Sequence, residues 1–188
     1  NEFKFLKILN HKIKEFGFEK TMDNFIYPLL DKLSIMWIAG SVKSVHENFI
    51  NNIIKRKLVI EIDKIKVDYN NNEKKFFIYL PEYEAHELSI LYTYYLLKSH
   101  GVNTLYLGSQ LTINDVKDAF DIFKPSHIFT IFNDSFSETP LQPYIDSLLE
   151  KTGDAKILIS GYQTIQQKIQ NTERVFTLKS LEEIKSFI

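Results

Sequence analysis

The chain has 188 residues, 44% of them hydrophobic, which is enough apolar material for one or two compact cores. Its 23 basic and 24 acidic residues leave a net charge of −1, so no basic face marks a free-standing nucleic-acid binder. The absence of cysteine excludes disulfides, thiolate catalysis and Cys-ligated metal, and it fits a cytoplasmic protein.

No apolar run reaches membrane-spanning length, and the charged start Asn1-Glu2-Phe3-Lys4-Phe5 is not a signal peptide. Because the chain starts at Asn1 rather than Met, a preceding segment is expected, and any DNA-binding module would lie there. Phe3, Leu6, Leu9, Ile13 and Phe16 recur near helical spacing and predict a first helix over 2–16, ended by Gly17. Asp23 is placed to cap a second helix, with Phe25, Leu29, Leu30, Leu33 and Met36 on one face. Pro28 falls in its first turns, Trp37 at its end, and Gly40 stops it. Ser41 is the expected N-cap of a third helix running to about Ile65. Its two apolar stripes, Val42-Val45-Phe49-Ile53 and Ile50-Ile54-Leu58, call for more than one packing neighbour. The first third therefore reads as a small helical bundle. The polar stretch from Tyr69 to Lys75, with Asn70-Asn71-Asn72 inside it, reads as a linker and sets expected domains of 1–68 and 69–188.

Beyond the linker, strands are expected near 76–80, 103–107, 127–132, 156–160 and 174–177. Helices are expected near 85–99, 112–123, 139–152, 164–170 and 180–187. This alternation implies a doubly wound, five-stranded parallel sheet. In such a sheet, ligands bind outside the carboxyl ends of the strands. The stretch Pro81-Glu82-Tyr83-Glu84-Ala85-His86-Glu87-Leu88-Ser89 stands at that place, between the first strand and its helix. Taken alone, Glu84 as a helix cap and His86 as a first-turn surface residue is the blander account. His11, His46, His100 and His127 have no comparable partner; His46 adjoins Glu47, but neighbours on a helix point apart. There is no nucleophile elbow, Walker loop or Gly-rich dinucleotide fingerprint, so the usual nucleotide enzymes are not expected.

Glu84-x-His86-x-x-Ser89 resembles the Asp/Glu-x-His-x-x-Gly motif of cobalamin-binding domains. That family carries Ser-x-Leu at the third strand and Gly-Gly after the fourth, where this chain has Thr130-Ile131-Phe132 and Ser160-Gly161. Upstream, Trp37 and Glu47 fit the Trp-x9-Glu-His pattern in the bundle of light-responsive, MerR-type regulators. His-Glu-Leu at 86–88 and Leu105-Tyr106-Leu107-Gly108 extend the likeness over nearly the whole chain. Asn48 and Ile38 stand where light-responsive members have histidine.

The resemblance implies a flavodoxin-like (Rossmann-like) sheet order and a cobalamin cofactor, adenosylcobalamin foremost. It makes His86 the lower cobalt ligand, in place of the cofactor's own dimethylbenzimidazole. Neutral imidazole suits cobalt, and Glu84 would accept the other ring N–H and raise ligand basicity. The displaced nucleotide tail would thread into the sheet domain past Ser89, Thr130, Ser160 and Gly161. Ser89 and Ser160 add atoms there and either narrow the channel or bond to the tail. Gly108 would touch the ligand through its backbone or is a plain turn. Trp37 and Glu47 would cover the upper face, the indole excluding water; the blander accounts are a core Trp and a solvated Glu. Three roles follow: a cobalamin sensor of a MerR-type regulator, a cofactor-free relative serving oligomerisation, or a corrinoid methyl carrier. The first implies a homo-oligomer and DNA binding through a domain absent from this chain.

Overall fold

The computed structural model describes residues 1–66, 74–85 and 87–188. The expected linker at Asn70-Asn71-Asn72 and the expected metal ligand His86 lie outside the described residues. The chain forms two compact units, residues 1–64 and 65–188.

The first unit is helical. Helix α1 (Glu2–Phe16) opens with the Asn1 side chain accepting the Lys4 N–H at 3.3 Å. It closes at Gly17, whose φ of 83° few other residues adopt. The next helical run continues through α2 (Phe18–Thr21), a π turn (Met22–Ile26) and α3 (Tyr27–Ile38). Asp23 is therefore not a cap but lies inside the π turn. Pro28 gives the reason, since its ring and missing N–H disrupt a regular α turn and a wider turn before it absorbs the conflict. The wider turn also shifts the phase of burial: Met22 and Ile26 are buried, while Phe25 is exposed. Ser41 is not the N-cap of the next helix either, because α4 spans Ser44–Lys64. The Ser41 and Val42 amides instead donate to the Met36 carbonyl and close α3. The His46 imidazole takes the capping role, its Nδ1 accepting the Lys43 N–H at 3.2 Å.

The second unit is the doubly wound sheet that the alternation predicts. Its strands are β1 (Lys75–Ile78), β2 (Asn103–Tyr106), β3 (His127–Ile131), β4 (Lys156–Ser160) and β5 (Val175–Thr177). All pairings are parallel, in the order β2-β1-β3-β4-β5. Between them run α5 (Glu87–Ser99), α6 (Ile113–Phe123), α7 (Gln142–Lys151) and α8 (Tyr162–Gln166). The last segment, Leu181–Phe187, winds as a 3-10 helix rather than an α-helix. Both faces are covered, which is why the strands read as continuous apolar runs.

Strand alternation sorts the core into two layers. Phe77, Tyr79, Ile128, Ile157 and Ile159 face α6 and α7, where they meet Val116, Ala119, Ile145 and Leu148. Phe76, Ile78, His127, Phe129 and Leu158 face the other way, toward α5 and the final 3-10 helix. His127 fixes this assignment, with its ring stacked on Phe76 at 4.6 Å and edge-on to Phe187 at 6.2 Å. Among the described residues no helix is long and apolar enough to cross a membrane.

Candidate functional site

At the carboxyl edge of the sheet, the loop after β1 carries Glu84. Its side chain is 1% exposed. One carboxylate oxygen, Oε2, accepts the backbone N–H groups of Asn133 at 2.7 Å, Asp134 at 3.0 Å and Ser135 at 3.4 Å. The Ser135 hydroxyl donates to the same oxygen at 3.2 Å. Three successive amides turned toward one point make an anion-holding nest, here filled by the protein's own carboxylate. Short polar residues directly after β3 allow that turn, because Asn, Asp and Ser tolerate it.

The nest is itself braced from α8. The Asn133 side-chain oxygen accepts the Tyr162 N–H at 2.8 Å, and Gln163 Nε2 donates to the Asn133 carbonyl at 3.1 Å. Gln167 Nε2 donates to the Phe136 carbonyl at 2.8 Å, and its oxygen accepts the Leu141 N–H at 2.7 Å. Glu84 therefore sits on a rigid support two residues before His86. Sequence reading singled out Glu84 but missed Asn133, Ser135, Gln163 and Gln167. The one available signal was the Asn-Asp-Ser run at a strand's carboxyl end.

The neighbouring loop after β2 completes the edge. Gly108 adopts φ 83°, and its carbonyl accepts the Leu80 N–H at 2.9 Å. Ser109 donates to Glu87 Oε1 at 3.2 Å, tying this loop to the first turn of α5. The Tyr106 phenol is pushed up to about 12, chiefly by burial and secondly by the Glu87 charge. Tyr83, Gln110 and Phe136, on three adjacent loops, all hold positive φ, at 65°, 66° and 62°. Such strain in non-glycine residues gathers at ligand-binding edges. Beside them opens a cavity of about 330 Å³, lined by Pro81, Glu82, Tyr83, Leu111, Phe136 and Tyr144 among others. Burial pushes the Tyr144 phenol up to about 12, and its oxygen shares a 2.9 Å hydrogen bond with that of Tyr79.

Of the four expected tail positions, Ser89 and Ser160 lie on the α5 side of the sheet, Gly161 follows Ser160, and Thr130 lies on the other side. Ser89 lies in the first turn of α5, one turn before the fully buried Thr93, whose hydroxyl donates to the Ser89 carbonyl at 3.0 Å. It thus belongs to the stripe that faces the sheet. The Ser160 hydroxyl donates to the Leu178 carbonyl at 3.0 Å. Thr130 has the parity of Ile128 and lies on the α6–α7 side, beside the Tyr79 phenol. A residue one step along a strand always changes face, and Thr130 falls on the face that Ser89 does not. Gly161, at φ 108°, is required by the protein itself, because a Cβ there would lie 2.4 Å from the Phe132 carbonyl oxygen.

In the helical unit, Trp37 ends α3 and is 52% exposed, so it is not the core tryptophan of the blander account. Glu47 is half-buried in the first turn of α4. Ile35, Ile38, Val45 and Phe49 are exposed on the same two helices.

No protein-family model and no curated protein matches the sequence. Solved structures do match. The monomethylamine corrinoid protein of Methanosarcina barkeri superposes with a TM-score of 0.70, over 96% of this chain and 87% of that one, at 9% identity. A chain of the methanol:cobalamin methyltransferase complex MtaBC from the same organism gives 0.52, over 99% and 72%, at 12% identity. The fold is that of corrinoid-binding proteins. At these identities the likeness is one of fold, a helical region followed by a five-stranded parallel Rossmann-like sheet.

Proposed function

We propose that this chain is a corrinoid-binding sensor module, the effector part of a MerR-type regulator. It takes the corrin ring of adenosylcobalamin at the carboxyl edge of the sheet, with His86 as the lower cobalt ligand. The observation that carries the proposal is the Glu84 carboxylate, buried and held by four donors, two residues before His86. Burying a carboxylate is costly unless it is fully bonded, and a site built this firmly serves to orient something. A carboxylate so placed would hold the adjacent imidazole in one tautomer and raise its basicity toward cobalt. The bound group would supply a light-sensitive cobalt–carbon bond; the chain's part is to hold and cover it.

The helical unit exposes Trp37 together with several apolar neighbours. Neither candidate for an upper ligand is available in the helical unit. Ile38 has no lone pair, and His46, one residue before Glu47 on α4, points away from the side on which Glu47 lies. An illuminated complex is therefore expected to hold its cobalamin less firmly than a bis-histidine adduct. A second role, a methyl-carrying corrinoid protein, is favoured by the TM-score of 0.70 to a corrinoid protein named for monomethylamine.

The test is titration with adenosylcobalamin in the dark, followed by absorption and gel filtration before and after illumination. The wild-type chain should retain the cofactor, and His86→Ala should abolish or greatly weaken binding, since the metal–ligand bond and its outer partner are lost together. Unchanged spectra and affinity in His86→Ala overturn the ligand assignment. A light-dependent change of oligomeric state supports the sensor, and its absence favours the carrier. A wild-type chain that binds no corrinoid leaves the cofactor-free module.

A further inference from the structure

We infer that the cavity on the α6–α7 side binds a small organic ammonium ion, with its apolar body inside and its charge beside Glu82 at the mouth. The inference is independent of the corrinoid-binding proposal. The cavity, of about 330 Å³, stands at the lower end of the range for small-molecule pockets, about 300–1,000 Å³. Leu111 and Ile113, around the start of α6, give it an apolar wall that is continuous with the core under α6 and α7. Ser89 and Ser160 lie on the opposite, α5 side of the sheet, and the cavity uses neither.

Three aromatic residues, Tyr83, Phe136 and Tyr144, also line it. The Phe136 and Tyr144 rings lie 4.9 Å apart at 49°, so their planes form a corner rather than a stack. The Tyr144 oxygen already shares a 2.9 Å hydrogen bond with Tyr79, which leaves the ring as the more available part. Aromatic faces attract cations that come within about 6 Å of the ring centre. Among the described lining residues Glu82 is the one that carries charge, and no hydrogen bond or ion pair engages its carboxylate. That charge reaches the cavity, because Glu82, after burial, helps to push the Tyr144 phenol up to about 12. An anion would be repelled there, and a neutral molecule would gain nothing from the carboxylate. A cation with an apolar body matches both the walls and the mouth. Since Glu82 is exposed, its share of the preference is moderate.

The experiment titrates 2-phenylethylammonium into the full chain without corrinoid and follows backbone and side-chain resonances by NMR. 2-Phenylethanol and 3-phenylpropionate carry the same ring on a neutral and an anionic arm. The expected result is saturable shifts at Leu111 and Phe136, a Kd for the amine about tenfold below that of the alcohol, and no saturation by the carboxylate. Glu82→Gln, at an exposed position, should weaken the amine about three- to fivefold and leave the alcohol unchanged. Equal Kd values for amine and alcohol, or an unchanged amine Kd in Glu82→Gln, overturn the inference. So do shifts confined to other parts of the chain, or no saturable shift up to about 10 mM amine. None of these outcomes bears on the corrinoid proposal, whose test is the cobalamin titration of wild type and His86→Ala.

Discussion

The two faces of β3 are built differently. Under α5 and the final 3-10 helix, Phe129 and Ile131 lie in an apolar layer that also holds Phe76, Ile78 and Leu158. Toward α6 and α7, Ile128 and Thr130 lie near a tyrosine pair, and through Tyr144 that layer reaches a cavity of about 330 Å³. The first is closed by side chains, with His127 at its amino end; the other carries Thr130 mid-face and opens toward the edge where ligands meet such sheets. The lesson is that position in a motif and position in space separate at a strand. One residue of register decides which layer a side chain enters.

The largest expected effect is on the closed face. Phe129→Ala removes a ring that is fully buried, and Phe-to-Ala changes in well-packed cores cost about 3–5 kcal/mol. Denaturant unfolding should show that loss as a lowered midpoint with little change in slope. A loss below about 1 kcal/mol would mean the layer collapses easily, and the contrast between the faces would weaken.

The strands and their parallel order were legible because apolar runs such as Phe76-Phe77-Ile78 are bounded by turn residues. Helix boundaries failed where a local rule was outvoted by a neighbour. Asp23 looks like a cap, but Pro28 five residues on imposes a π turn around it. Ser41 looks like a cap, but its amide is needed to close the preceding helix at Met36. In the site, Glu84 was visible from its spacing to His86. Its partners were not, since Asn133 lies 49 residues away in sequence and only the fold brings them together. Thr130 was assigned by matching a pattern along the strand, which carries no information about the face it takes.

A second, smaller effect concerns the amino end of the closed face. His127 is held neutral, its pKa lowered to about 4, first by burial and then by Lys156 and Lys74. In the unfolded chain the imidazole takes up a proton near its ordinary value of about 6.5. Between those values the unfolded state binds more protons than the folded one, so stability falls as pH drops from about 6.5 toward 4. The depression corresponds to at most about 3 kcal/mol, and to less where solvent reaches the ring edge. His127→Phe keeps an aromatic ring against Phe76 and removes the titration. Its stability should therefore fall less than wild type between pH 7 and pH 4.5. Parallel slopes for the two proteins would show that the histidine is already charged in the fold.

The smallest effect is expected on the open face. Thr130 is fully buried, and its hydroxyl lies by the Tyr79 phenol, whose pKa is raised by burial and by Tyr144. Thr130→Val keeps the branched shape and removes one hydroxyl. The net worth of a single neutral hydrogen bond is about 1 kcal/mol, and burying a poorly bonded hydroxyl works against it. Stability should therefore change by less than about 1 kcal/mol in either direction. Corrinoid affinity should not change, because this side chain is fully buried in the α6–α7 layer beside Tyr79. The check is one denaturation curve and one corrinoid titration on the same variant. A shift in Kd beyond about fivefold for cobalamin, with none for cobinamide, would place the tail on the α6–α7 side. The cavity beside Tyr144 would then be its route.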